Sequence, residues 1–239
     1  MDALITAAGK GTRANLPENM RKEMLPVYSI RNNKIVLRPV LDCIIYNLNK
    51  INIKKFFVIL NKNDNATENY LKSLNYNIEF IYQNKPDGFG KAVLLGKDYI
   101  KKDFVLNAGD GIVLNENKMR LAIDLYKNKN NNVLTLMKVN NPKNYGIATV
   151  DKDYISKVEE KPVNPQSNYA LAAFYILKNE IFNYLKYDEL TPAINEMIRN
   201  NIKTNYVKIN KYEWASIGNS NNYYKILGRT HNYYNKLFP

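Results

Sequence analysis

Short apolar runs and amphipathic stretches alternate along the first 110 residues of the chain. The runs are typical of buried strands, and they lie at 3–7, 56–60, 78–82 and 104–106. The stretches between them predict a helix with Pro39 in its first turn and two further helices at 65–74 and 90–100. Strands separated by helices favour a parallel sheet covered by helices on both faces.

The pattern changes after residue 132. Strand-like segments now follow one another with fewer helices between them, at 133–139, 147–150, 154–159, 169–177 and 206–209. No repeat, low-complexity segment or linker rich in Gly, Ser or Pro separates the two halves. We therefore expect an α/β protein in which residues 1–239 form a single three-layer α/β/α domain, with a mixed, mainly parallel central sheet.

Composition narrows the class of protein. The 239 residues carry a formal charge of +13, but the basic residues and the 19 tyrosines are scattered, so no nucleic-acid partner is predicted. AT-rich codons for Lys, Asn, Ile and Tyr are the simpler explanation of this bias. No apolar run approaches the roughly 18 residues of a membrane span, and the first residues do not resemble a signal peptide. A single cysteine, Cys43, excludes an intramolecular disulfide and favours a reducing, cytoplasmic compartment.

A glycine-containing segment, Ala-Ala-Gly-Lys-Gly-Thr-Arg at 7–13, directly follows the first predicted strand. Gly9 and Gly11 would allow backbone N–H groups to turn towards phosphate oxygens, and Arg13 adds a permanent cation. A plain strand-to-loop turn is the alternative. The segment lacks both the third glycine of dinucleotide-binding loops and the Gly-Lys-Ser/Thr ending of the P-loop.

Two further segments carry groups suited to a nucleotide. Lys22, in Lys-Glu-Met-Leu-Pro, could neutralise a triphosphate together with Arg13, although a solvated lysine before a proline turn is an equal alternative. Gln83 begins a segment at 83–93 and offers both a donor and an acceptor to the imide edge of uracil or thymine. Gly88 in the same segment would let the backbone approach the base, unless the segment is simply a glycine-rich loop.

An acidic residue follows the fourth predicted strand. Asp110 ends the sequence Asn-Ala-Gly-Asp, at the carboxyl end of a strand where α/β sheets bind ligands. Mg²⁺ prefers one or two carboxylates together with phosphate oxygens, so Asp110 is the best candidate metal ligand. Aspartates in this position otherwise serve as turn or cap residues.

Six segments, in this order, resemble the sugar-phosphate nucleotidyltransferases, also called sugar-nucleotide pyrophosphorylases. They lie at 7–13, 22–26, 83–93, 107–110, 145–147 and 159–162. The resemblance extends from Ala7 to about Tyr224, and the segment 168–175 is similar to the sugar-binding strand of the family. The Lys-Glu-Met-Leu-Pro form is most similar to UTP–glucose-1-phosphate uridylyltransferases.

The resemblance implies a Rossmann-like, GT-A-like fold and an enzymatic activity. The expected reaction transfers a nucleotidyl group from UTP or TTP to a hexose 1-phosphate, with glucose 1-phosphate favoured, and releases pyrophosphate with Mg²⁺ as cofactor. The expected partners are therefore a nucleoside triphosphate and a sugar 1-phosphate, with neither nucleic acid nor membrane. The oligomeric state is open and is compatible with a homo-oligomer.

The resemblance also assigns roles to residues. The expected catalytic residues are Arg13, Lys22, Asp110 and Lys161, with Asp110 as the metal ligand. The expected nucleotide-binding residues are Ala8, Gly9, Gly11, Thr12, Gln83, Pro86 and Gly88. The expected sugar-phosphate-binding residues are Tyr145, Gly146, Glu160, Lys161 and Ala172.

Several positions depart from the family pattern. Ser216 stands where the family has an aspartate that supplies a second Mg²⁺ carboxylate, and Ala173 replaces a glycine. Glu213 is predicted to face the other side of its strand and not to compensate. These departures support a second hypothesis, a catalytically weak nucleotide-sugar-binding sensor or regulatory subunit. The longer link at 28–37 predicts a small hairpin near the site, and His231, the single histidine, is predicted to be structural.

Overall fold

A mixed sheet runs through the centre of the protein in the computed structural model, which describes residues 1–9, 11, 16–17, 20–85, 87–186, 188–218 and 222–237. The strands are β1 (Ala3–Ala7), β2 (Pro26–Arg31), β3 (Lys34–Pro39), β4 (Lys55–Asn61), β5 (Asn77–Gln83), β6 (Phe104–Ala108), β7 (Gly111–Val113), β8 (Asn132–Lys138), β9 (Gly146–Asp151), β10 (Tyr154–Glu160), β11 (Tyr169–Leu177), β12 (Thr204–Ile209) and β13 (Trp214–Ser216). The α-helices are α1 (Val40–Lys50), α2 (Asn65–Lys72), α3 (Phe89–Leu94), α4 (Glu116–Lys129), α5 (Leu190–Arg199) and α6 (Tyr223–Asn235).

Nine of the strands in the described part of the chain form the central sheet, in the order β5-β4-β1-β6-β11-β8-β12-β10-β9. Strands β5, β4, β1 and β6 pair in parallel, as do β8 and β12. Only β10 and β11 run against the others in this sheet of the described residues. The expectation of a mixed, mainly parallel sheet is therefore confirmed.

Side chains that alternate along the strands pack into two hydrophobic cores, one on each face of the sheet. In β1, Ala3 and Ile5 belong to the core shared with α1, α2, α4 and α6, whereas Leu4 belongs to the core shared with α3 and α5. Strand β4 alternates in the same way, because neighbouring side chains of a strand point to opposite faces. The three-layer α/β/α architecture follows from this double burial. No helix among the described residues is long and apolar enough to cross a membrane.

Every strand predicted from the sequence is present, with its ends within two residues of the prediction. The helix predicted at 90–100 is shorter, because α3 ends at Leu94 and the chain continues in turns. Gly96 lies in these turns, and a Cβ atom there would come within 2.7 Å of the Leu4 side chain. The turn therefore lies so close to β1 that a side chain at position 96 would require the Leu4 side chain to shift. Pro39 ends β3 and caps α1, so the helix begins one residue later than its expected first turn.

The predicted hairpin is formed by β2 and β3, which pair from Pro26–Pro39 to Arg31–Lys34. It packs against α1 and α6. The Tyr28 N–H donates to Thr230 Oγ1 at 3.2 Å, and the rings of Tyr28 and His231 meet edge to face with centroids 4.8 Å apart. His231 therefore has the predicted structural contact, and the hairpin contributes no side chain to the lining of the cavity described below.

A two-stranded ribbon of β7 and β13 holds the residues around Asp110. Ser216 pairs with Gly111, and the Ile217 N–H donates to the Asp110 carbonyl oxygen at 2.9 Å. The Asn107 side-chain amide donates to the Gly111 carbonyl oxygen at 2.8 Å. On the other side of Asp110, the Gly109 N–H donates to the Thr6 carbonyl oxygen at 2.8 Å, so hydrogen bonds hold the main chain both before and after Asp110.

The packing of this ribbon generates a first prediction. A Cβ atom at Gly111 would overlap the indole ring of Trp214, which is buried in the core. Because the ring is rigid and surrounded, we expect Gly111→Ala to lower the free energy of unfolding by about 1–3 kcal/mol. Gly228 is the matched control, since it lies exposed in α6 with nothing within 4 Å of an added Cβ. Gly228→Ala should stabilise the helix by up to about 1 kcal/mol.

Urea unfolding of the two variants and the wild type measures both effects. Equal changes in the two variants would contradict the packing argument.

Candidate active site

The carboxyl ends of β1, β5 and β6 open onto a cavity of about 390 Å³. Its position matches the general rule for open α/β sheets, in which ligands bind beyond the carboxyl ends of the strands. The residues that line it are Thr6, Ala8, Gly9, Gly11, Lys22, Glu23, Gln83, Gly88, Phe89, Ala92, Ala108, Asp110 and Gly218.

Seven residues expected at a nucleotide site meet at this cavity. They are Ala8, Gly9, Gly11, Lys22, Gln83, Gly88 and Asp110. They come from distant segments of the chain, and two of them, Lys22 and Asp110, are 88 residues apart in sequence. Thr12, Arg13 and Pro86 lie outside the described residues. The roles of all these residues remain predictions.

Lys22 and Asp110 form an ion pair, with the Lys22 ammonium donating to Asp110 Oδ2. Lys22 begins a short 3₁₀ turn, Lys22–Met24. The residue before it, Arg21, pairs with the buried Asp64 at 3.6 Å, and the Leu25 carbonyl oxygen after the turn accepts from the Val40 N–H at 3.1 Å. The residue expected to bind phosphate is therefore paired with the residue expected to bind the metal.

Glu23 is a residue of the cavity that the sequence analysis quoted only as part of a motif. It is 3% exposed, and its Oε2 atom has no hydrogen-bond partner among the described residues. Its Oε1 atom lies 4.0 Å from the Lys22 ammonium. Burial raises the pKa of Glu23 to about 7, against the lowering effect of Lys22 and with a further rise from the Asp110 charge. The acidic residue was visible in the sequence, but its burial depends on the tertiary structure.

Gln83 ends β5 as a buried side chain, and its Nε2 atom donates to Asp87 Oδ1 at 3.2 Å. Asp87 was not singled out from the sequence. This hydrogen bond uses one of the two N–H groups of the Gln83 amide.

The loop after Gln83 is fastened to the segment that precedes α5. Gly88 has φ of 122°, and a Cβ atom there would overlap the carbonyl oxygen of Asp188. That oxygen accepts from the Gly90 N–H at 2.6 Å, and the Asp188 carboxylate pairs with Lys91 at 2.7 Å. Glycine is required at position 88 both for its backbone angle and for this close approach. Asp188 is another residue that the sequence analysis missed, because nothing local relates it to residue 88.

The expected sugar-phosphate residues form a second group, and none of them lines the cavity within the described chain. Lys161 has φ of 41°, its N–H donates to the Tyr145 carbonyl oxygen at 3.0 Å, and its ammonium lies 3.2 Å from Glu160 Oε1. A Cβ atom at Gly146 would lie 3.1 Å from Glu160 Oε2 and 3.4 Å from the Thr191 methyl. Tyr145, Gly146, Glu160 and Lys161 are thus brought together.

Ala172 and Ala173, two neighbouring residues of β11, have different surroundings. Ala172 is fully buried, with its side chain in the core, so any contact with a sugar would have to come from its main chain. Ala173 falls in an irregular part of the β11–β8 pairing, between Ala172 and Tyr175. It is not among the described residues with positive φ. The methyl group that replaces the glycine of the family is therefore compatible with the backbone here.

The cavity residues fit a weakly held divalent cation. Asp110 and Glu23 are the acidic side chains that line it in the described chain, and no group of three or more His, Cys, Asp or Glu side chains suited to a metal occurs in that part. Glu213 does not contribute, because its carboxylate accepts from the Asn115 side chain at 2.6 Å and from the Asn210 N–H at 2.7 Å. Mg²⁺ accepts one or two carboxylates when phosphates and water complete its shell.

Comparison with known proteins identifies the class. Residues 2–232 match the family model described as nucleotidyl transferase, and the chain belongs to this family. It is 38% identical over 229 residues to the bifunctional protein GlmU of Methanococcus aeolicus, covering 91% of this chain and 51% of that protein. It is 33% identical over 233 residues to a bifunctional sugar-1-phosphate nucleotidylyltransferase/acetyltransferase of Sulfurisphaera tokodaii, covering 91% of this chain and 52% of that protein. The chain thus spans about half the length of these relatives.

A solved structure of the same fold is the UTP-bound UGPase from Acinetobacter baumannii. Its TM-score is 0.81 with 21% identity, over 95% of this chain and 91% of that chain. At this identity the likeness concerns the fold. The expected Rossmann-like nucleotidyltransferase fold and the family resemblance are both confirmed.

The buried carboxyl of Glu23 generates a prediction about pH. The pKa of this group is about 7 in the folded protein and 4.5 as its ordinary value, so the folded protein binds more protons between these values. Stability should therefore fall as the pH rises through this window. Glu23→Gln removes the titration, and we expect the variant to gain up to about 3 kcal/mol relative to wild type between pH 4 and pH 8.

Urea unfolding at a series of pH values measures this difference. Glu196→Gln is the control, because Glu196 pairs with Lys186 away from the cavity. A difference between Glu23→Gln and wild type that does not change with pH would show that burial leaves the Glu23 carboxyl unperturbed.

Proposed function

We propose that this protein is a sugar-1-phosphate nucleotidyltransferase that uses UTP or TTP. The observation that carries the proposal is the convergence of Lys22, Asp110 and Gln83 on one cavity at the carboxyl edge of the sheet. A cation, a carboxylate and an amide are the groups needed for a triphosphate, its metal and a pyrimidine base. The names of the relatives support the same class of reaction.

In the proposed reaction, a phosphate oxygen of the sugar 1-phosphate attacks the α-phosphorus of the nucleotide in line. The bond from the α-phosphorus to the bridging oxygen breaks, and its electron pair leaves with pyrophosphate. No covalent intermediate on the protein is required, so positioning and neutralisation of charge carry the rate. Lys22 would neutralise the phosphate charge that develops, because its ammonium lies beside the cavity.

Asp110 would hold Mg²⁺ together with phosphate oxygens of the nucleotide. When bound, this ion supplies positive charge that polarises the phosphates. The Lys22 ammonium occupies Asp110 Oδ2 in the structure described here. We therefore propose that Lys22 moves from the carboxylate to the phosphates when the nucleotide and its ion are bound.

Two groups of residues indicate the substrates, Gln83 for the base and Glu160 with Lys161 for the sugar phosphate. Gln83 would read the imide edge, which uracil and thymine share. Glu160 would accept hydrogen bonds from sugar hydroxyls, and the adjacent Lys161 would meet the sugar phosphate. Glucose 1-phosphate is the proposed acceptor because of the Lys-Glu-Met-Leu-Pro motif, and N-acetylglucosamine 1-phosphate is the comparison compound for the assay.

A second candidate function is a nucleotide-sugar-binding sensor with little catalysis. Ser216 favours it, because a neutral hydroxyl stands opposite Gly111, next to Asp110, where the family has an acid. The presence of Arg13, Lys22, Asp110 and Lys161 in the sequence argues for the enzyme, and two of these residues, Lys22 and Asp110, form an ion pair in the lining of the cavity.

Release of pyrophosphate decides between the two functions. We expect release from UTP or TTP only when Mg²⁺ and a sugar 1-phosphate are both present. Lys22→Met should lower kcat/KM by about 100-fold or more, because the lost cation acts on developing charge, with little change in thermal stability. Lys186→Met is the matched control, since this exposed lysine pairs with Glu196 outside the cavity.

Binding of a nucleotide sugar without pyrophosphate release would favour the sensor. A Lys22→Met variant that unfolds at much lower temperature, with unchanged activity per folded molecule, would assign Lys22 a structural role instead.

The base pocket gives a further prediction. Gln83→Ala should weaken binding of UTP by about 1–3 kcal/mol, because the base edge loses its partner, while the weaker binding of ATP changes little. Gln166→Ala is the control, since Gln166 is exposed and donates only to the nearby Asn164 carbonyl oxygen. Calorimetric titration of both nucleotides measures the effect. Equal affinities for UTP and ATP that the variant leaves unchanged would reject Gln83 as the base-reading residue.

A further inference from the structure

Glu23 combines two properties that structural acids rarely share. Its side chain is almost completely buried, yet it lines the same cavity as Asp110. Its Oε2 atom accepts no hydrogen bond from the described residues. A buried polar atom without a partner costs free energy, and an ion that enters the cavity is one group that can complete it.

The geometry around Lys22 indicates what Glu23 could bind. The Lys22 ammonium contacts Asp110 Oδ2 and lies 4.0 Å from Glu23 Oε1. A positive charge therefore already lies between the two carboxylates. The lysine chain is long and flexible, so its ammonium can leave this position for a phosphate, and a cation that replaced it would face both acids.

The other acids near the site are occupied. Glu213 is hydrogen-bonded to Asn115 and Asn210. Asp87 and Asp188 both pair with Lys91 in α3. Within the described lining of the cavity, Glu23 is the acidic side chain that accompanies Asp110.

We propose that Glu23 is the second carboxylate for the Mg²⁺ of this protein, and that with Asp110 it replaces the acid missing at Ser216. The proposal rests on the proposed function, because it assumes that a nucleotide brings the ion to this cavity. Two carboxylates and phosphate oxygens form a donor set that Mg²⁺ prefers. The acid then comes from the turn at Lys22–Met24 and not from β13.

Binding of Mn²⁺ tests the proposal without turnover. Free Mn²⁺ is counted by electron paramagnetic resonance as the ion is added to the full chain, with and without the non-hydrolysable analogue α,β-methylene-UTP. Asp110→Asn and Glu23→Gln should each raise the Kd for Mn²⁺ by about tenfold or more in the presence of the analogue. Glu196→Gln, which also removes one negative charge, should leave the Kd unchanged. Thermal unfolding checks that each variant is folded.

An indirect effect through Lys22 is separated by repeating the comparison in a Lys22→Met background. If Glu23 binds the ion, Glu23→Gln still weakens Mn²⁺ binding there. If the effect disappears in that background, or if Glu23→Gln leaves the Kd unchanged in the wild-type background, the ligand assignment is overturned.

The same measurements separate this proposal from the proposed function. Mn²⁺ binding that depends on Glu23, in a protein that releases no pyrophosphate, supports the ligand assignment and rejects only the enzymatic activity. Pyrophosphate release, together with Mn²⁺ binding that is independent of Glu23, supports the enzymatic activity and rejects the ligand assignment.

Discussion

The ion pair between Lys22 and Asp110 joins two parts of the chain that are 88 residues apart. Each partner depends on a different support. Lys22 lies in a turn held by Arg21–Asp64 and by the bond from Val40 to Leu25, whereas Asp110 is held by β6 and the β7–β13 ribbon. The cavity exists where these two supports meet, so its chemistry depends on the sheet that keeps β1 and β6 side by side.

The charges at this cavity are balanced in a way that suits an anionic ligand. A lysine ammonium lies among two carboxylates, one of which is deeply buried. Burial of Glu23 is the main cause of its raised pKa. A polyphosphate and its metal ion would bring charges of both signs into the cavity. The phosphates could then pair with Lys22 and the ion with the carboxylates, so that each charge keeps a neighbour of opposite sign.

The segment before α5 connects the two ends of the site. The Asp188 main chain packs against Gly88 and binds Gly90, while the neighbouring Glu189 lies near Glu160 and Lys161. Burial, together with the charges of Glu160 and Asp188, raises the pKa of Glu189, whereas Lys161 lowers it. The loop after Gln83 and the group of Tyr145, Gly146, Glu160 and Lys161 therefore both lie next to one short stretch of chain, Asp188–Glu189.

The sequence by itself determined the strands, the sheet class and the set of candidate residues, because strand and helix periodicity and glycine chemistry are local properties. Its order of short motifs also identified the family. The tertiary structure alone decided which charged groups touch. In the sequence Glu23 is only one residue of a motif, and the tertiary structure places it in the lining of the cavity. Asp188 is distant from Gly88 in sequence, and the packing of α5 against α3 brings the two together. Burial, ion pairing and pKa depend on contacts between segments far apart in sequence, and periodicity along the chain carries no information about them.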